Sequence, residues 1–87
     1  MITVEKVKIY YKYRGDIDAY ARLAKNEEAQ FMTDSDWGLI DEIIQAIQLV
    51  NSGRSSNNFE EKLKRKLQTN VSDDETLKMI KKLATES

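Results

Sequence analysis

The sequence predicts an all-α fold, a small antiparallel bundle of four to five helices. Three observations predict it. Apolar residues recur at three- and four-residue steps through most of the chain, a capping residue stands before each such stretch, and none of the 87 residues is proline. The chain has the length of one domain, so 1–87 is read as a single helical domain.

The clearest element spans about 34–52. Thr33 is a good N-cap, and Asp34, Ser35 and Asp36 follow it, their charge suiting the positive end of the helix dipole. Asp36 stands where a capping box prefers Glu or Gln. Trp37, Ile40, Ile44 and Ile47 form a stripe with Ile43 and Val50 beside it, while Asp41, Gln45 and Gln48 fall largely outside. Gly53 is the expected left-handed C′ residue. Gly38, in the first turn, is a place where another backbone could approach closely.

Ser55 or Ser56 caps the next helix, about 56–69, which carries Phe59, Leu63 and Leu67 four residues apart. Its positions 60–66 are otherwise charged, so it covers the core along a narrow seam, and Asn70 ends it. Ser72-Asp73-Asp74-Glu75 matches the S-x-x-E capping box and opens a helix at about 73–85 with Leu77, Ile80, Leu83 and Ala84 on one face.

Asp16 or Asp18 caps a helix expected over about 17–30, with Ile17, Tyr20, Ala21 and Ala24 on one side. The stretch before it reads two ways. Val7, Ile9, Tyr11 and Tyr13 alternate with polar or basic residues as in a strand. Thr3 as cap, Glu5 early, Lys12 and Arg14 late and Gly15 as stop read as a helix. The helix is preferred because a strand would have only the short 30–33 stretch to pair with. The alternative is an α+β fold with an N-terminal strand at about 4–13.

Composition narrows the chemistry. There is no cysteine and no histidine, which removes disulfides, thiolate metal sites, the commonest general base and Ser-His-Asp or Cys-His catalysis. No glycine-rich phosphate loop can be written. No leader-like segment and no apolar run near membrane-span length occurs, so a cytoplasmic location without membrane contact is expected. The net charge of −1 hides a pattern. Residues 1–14 set four bases against Glu5, a net of +3; residues 15–53 set eight acids against Arg22 and Lys25, a net of −6; residues 54–87 set eight bases against six acids, a net of +2.

Gly15-Asp16-Ile17-Asp18 is the most motif-like string, since two carboxylates in a D-x-D pattern can hold Mg²⁺ or Mn²⁺. As a Ca²⁺ loop it fails, with Tyr20 at the fifth position and Ala21 in place of the turn glycine. Capping explains the two aspartates more simply, as it explains Asp34 and Asp36, while Asp41 and Glu42 fall on the solvent side of the pattern. Neither a metal, a cofactor nor a small-molecule substrate is expected, and the chain is read as non-enzymatic.

The remaining candidate is the basic, tyrosine-rich arm, with Lys8, Tyr10, Tyr11, Lys12, Tyr13 and Arg14 as its candidate interaction residues. Aromatic anchors and bases at this density suit a protein partner or self-association, and tyrosines with Trp37 can equally fill the core. In size and class the chain is similar to bacterial immunity proteins, which neutralise a toxin by binding it. The expectation is a small protein-interaction domain, homodimeric or inhibitor-like. The alternative is a nucleic-acid-binding regulatory module, with Lys6, Lys8, Lys12 and Arg14 on phosphates and tyrosines on bases. The slightly acidic chain, pI near 5.4, and the acids Glu60 and Glu61 at the start of any recognition helix weigh against it.

Overall fold

The computed structural model describes residues 1–86. Six helices occur among them: α1 (Val4–Lys12), α2 (Ile17–Leu23), α3 (Glu28–Phe31), α4 (Asp34–Asn51), α5 (Asn57–Asn70) and α6 (Asp74–Glu86). The fold is an all-α bundle. α4 packs on α6, α1 and α5, and α1 also packs on α6.

α4 forms where its caps and its stripe require it. The Thr33 hydroxyl accepts the Asp36 N–H at 3.2 Å, and the Asp36 carboxylate accepts the Thr33 N–H at 3.0 Å. The box therefore closes with aspartate in the glutamate position. Trp37, Ile40, Ile43, Ile44 and Ile47 are buried, and each large apolar side chain fully removed from water contributes roughly 1.5–3 kcal/mol. Gly53, at φ +75°, ends the element as expected. A Cβ on Gly38 would meet nothing within 4 Å, so that glycine serves no close approach.

The N-terminal arm is helical. The Thr3 hydroxyl accepts the Lys6 N–H at 3.4 Å, Val7 is fully buried, and the helix ends as Arg14 and Gly15 turn left-handed. Among the described residues, strand pairing survives at a single point. Ile2, fully buried, donates its N–H to the Asn70 carbonyl at 2.7 Å and accepts the Ser72 N–H at 3.1 Å, a parallel bridge to Val71. Its partner lies in the α5–α6 turn, not in the 30–33 stretch considered from sequence.

Two expectations are corrected. The helix expected over about 17–30 is two helices, α2 and α3. Ala24 turns extended (ψ 139°) and Asn26 takes φ +58°, a left-handed conformation that asparagine tolerates better than most residues. The break brings Glu28 and Met32 within reach of the Tyr20 hydroxyl, which donates to the Glu28 carbonyl and accepts the Met32 N–H. The second correction is the cap of α6. Asp73, not Ser72, accepts the Thr76 N–H at 2.8 Å and the Thr76 hydroxyl at 2.7 Å. An aspartate accepts both bonds at once, and they hold its carboxyl below its ordinary range.

Candidate interaction surface

The tyrosine-rich arm lies along the bundle, and its side chains have different fates. Tyr13 is buried, Tyr10 is half-buried, and Lys8, Tyr11, Lys12 and Arg14 are exposed. The Tyr13 ring meets Tyr20 edge-on at 5.5 Å, Tyr20 lies 5.2 Å from Trp37, and Trp37 lies 5.5 Å from Tyr10. This chain of rings joins α1, α2 and α4, at separations where tilted aromatic pairs attract beyond their area burial.

The polar ends of the same residues have partners within the chain. The Tyr10 hydroxyl donates to Asp41, so an aspartate on the solvent side of the sequence pattern is drawn inward. Burial, that bond and the nearby Asp41 charge push the Tyr10 pKa well above the ordinary tyrosine range. The Tyr13 hydroxyl donates to Glu28, and the Lys12 ammonium lies 3.1 Å from both Glu28 oxygens. These bonds lower the Glu28 pKa and raise those of Lys12 and Tyr13. Lys6 reaches Asp36 at 3.1 Å. Burial alone would raise the Asp36 pKa; the Thr33 amide, the Lys6 ammonium and the Thr33 hydroxyl outweigh it and hold the carboxyl below its usual range. Lys8 and Arg14 have no ion pair among the described residues.

Asp16 and Asp18 do not converge. Asp16 caps α2 by accepting the Asp18 and Ala19 N–H groups at 3.0 and 3.1 Å, and Asp18 sits in the first turn. No group of three or more metal-ligating side chains occurs among the described residues. No described helix is long and apolar enough to cross a membrane.

Two openings in the surface flank α5, a helix with no fully buried residue. Between α4 and α5 runs a groove of about 660 Å³ lined by Glu42, Gln45, Ala46, Leu49, Phe59, Lys62, Leu63 and Lys66. On the other flank, about 540 Å³ opens between α5 and α6, with Val50, Leu63, Leu67, Val71 and Leu77 among its walls. Leu49 is 38% exposed. Lys66 is engaged with Glu42 at one end of the first groove, while Lys62 on the same wall has no ion pair among the described residues. A smaller opening of about 290 Å³ is lined by Tyr10, Tyr11 and Arg14 of the arm together with Ile44, Leu83 and Glu86.

The seam of α5 lies where its sequence places it, and its open flanks form the surface. The signal was there in the exclusively i+4 spacing of Phe59, Leu63 and Leu67 amid charges, a stripe too narrow to be covered on both sides. No protein-family model matches the chain, and no curated protein or solved structure does either.

Proposed function

We propose that this chain is a non-enzymatic protein-interaction domain that receives an amphipathic helix in the groove between α4 and α5. The observation that carries this reading is the state of α5: Phe59 and Leu63 are only half-buried and line an open groove opposite Ala46 and Leu49 of α4. Helix-in-groove recognition uses such a trough, filled by i, i+3/i+4 anchors of the partner. Lys62, with no ion pair among the described residues, suits a partner helix with an acid beside its apolar stripe. In the homodimeric version the incoming helix comes from a second copy. The non-enzymatic part rests on the missing cysteine and histidine and on the work the carboxylates already do: Asp16, Asp36 and Asp73 cap helices, and Asp41, Glu28 and Glu42 hold Tyr10, Tyr13 with Lys12, and Lys66.

The test compares the wild-type chain with Leu63→Asp, each first shown by circular dichroism to be helical. The wild type is expected to self-associate in sedimentation equilibrium, or to retain from native lysate a protein that Leu63→Asp does not retain. A monomer with identical capture by both chains overturns the reading.

A nucleic-acid-binding regulatory module is the second reading. It is favoured by Lys62, Lys64 and Arg65 of α5, whose charges have no ion pair among the described residues, more than by the arm, where Lys6 and Lys12 are paired. Absence of a salt-dependent gel shift with DNA or RNA at low salt disposes of it.

A further inference from the structure

We propose that residues 16–32 form a lid that opens as a unit over the aromatic cluster, latched by Glu28, while α1, α4, α5 and α6 stay folded. The substantial helix–helix packing is all among those four helices. In the lid, only Tyr20 and Met32 are buried; Leu23 is 61% exposed and Phe31 42%. α3 is four residues long, and its N-cap, Glu27, makes no side-chain capping bond. A segment with so little buried apolar surface opens at low free-energy cost unless something fastens it.

The fastening converges on one residue. The Glu28 carboxylate takes the Lys12 ammonium of α1 and the hydroxyl of its C-cap Tyr13, the polar bonds that fasten the lid. Within the lid the Glu28 carbonyl takes the Tyr20 hydroxyl, which accepts the Met32 N–H at 3.1 Å, so the segment holds together as it moves. The hinge on one side is Arg14-Gly15, at φ +53° and +72°. On the other, Met32 and Thr33 are extended just before α4 starts. Such element ends can absorb the backbone rotation that opening requires. The floor beneath also favours opening. Trp37, 3% exposed and covered by the Tyr20 ring, has an indole N–H without a hydrogen-bond partner among the described residues. Opening returns that donor to water and so offsets part of the apolar exposure.

Native-state hydrogen exchange read by NMR tests this. The amides of Tyr20, Ala24 and Met32 are expected to exchange through an opening at least roughly tenfold more frequent than that of Ile44 and Ile80, the behaviour of a separate cooperative unit. Glu28→Ala is expected to raise exchange at those three amides a further roughly tenfold, as loss of charge-assisted bonds implies, and to leave Ile44 and Ile80 unchanged. Glu28→Gln, which can still accept the Tyr13 hydroxyl, should fall between. Acrylamide quenching of Trp37 should rise in the same order. Equal protection across all five amides, an equal loss at all five in Glu28→Ala, or no change in that variant would each overturn the lid.

Discussion

α4 and α5 start in the same way, on a hydroxyl cap, Thr33 in one and Ser56 in the other, and both carry large apolar residues at helical spacing. Yet α4 buries five large apolar side chains and α5 none. The difference lies in the steps. At 100° per residue, Trp37 to Val50 mix steps of three and four and spread over roughly 140° of the helix, wide enough for α1, α6 and α5 to share. Phe59, Leu63 and Leu67 advance by four each time and span roughly 80°, one seam against the core. A helix so attached leaves both flanks open. The grooves on either side of α5 thus follow from its periodicity, and the domain is firm along α4 and open along α5.

The largest expected effect tests the firm side. Ile43→Ala should destabilise by about 3 kcal/mol in urea denaturation, against about 1 kcal/mol for Leu63→Ala on α5. Equal losses would mean that the two helices contribute alike and would break the comparison. Next comes Asp36→Ala, which removes a capping box and leaves the Lys6 ammonium, 19% exposed, without its partner. About 1–2 kcal/mol should be lost, measured the same way.

The pH dependence sharpens the same point. Asp36, Glu28 and Asp73 have pKa values lowered by folding. Their stabilisation is fully present above the ordinary carboxylate value of about 4 and is lost as pH falls through the folded values. Tyr10 is raised, so its contribution is fully present below about pH 10 and is lost as pH rises through its folded value. Melting temperature against pH should therefore fall at both extremes, and Asp36→Asn should flatten the acid limb. The smallest effect belongs to α5: Lys66→Ala, which breaks a pair with a mostly exposed Glu42, should change stability by less than about 0.5 kcal/mol.

The helices were legible in the sequence wherever a cap and a stripe coincided, as at Thr33, Ser56 and Thr3. The break between α2 and α3 was not. The alanines of that stretch favour continuous helix, and what interrupts it is tertiary: Tyr20 bonded to Glu28 and Met32. The choice between Ser72 and Asp73 as cap was equally hidden, since both are capping residues and the buried Thr76 decides between them. For the candidate surface, the arm's tyrosines were visible as aromatic anchors, but their hydroxyl partners, Asp41 and Glu28, lie 31 and 15 residues further on. No local pattern announces contacts at that separation. The α4–α5 groove was only half legible: the narrow i+4 stripe of α5 implies open flanks, but the wall that Glu42, Gln45, Ala46 and Leu49 of α4 supply appears only when the two helices are set side by side.

The bridge at Ile2 has a consequence for how the chain reaches this shape. Both backbone groups of Ile2 are bonded to residues 70 and 72, and its side chain is wholly buried. During synthesis the Ile2 backbone groups stay bonded to water until residue 72 has left the ribosome and can replace it. Until then α1 lacks its anchor, and α4 lacks the α6 face that covers it. Closing so long a loop is entropically expensive and slow beside local helix formation. The helices are accordingly expected to form early and to lock late, when the turn after α5 captures Ile2.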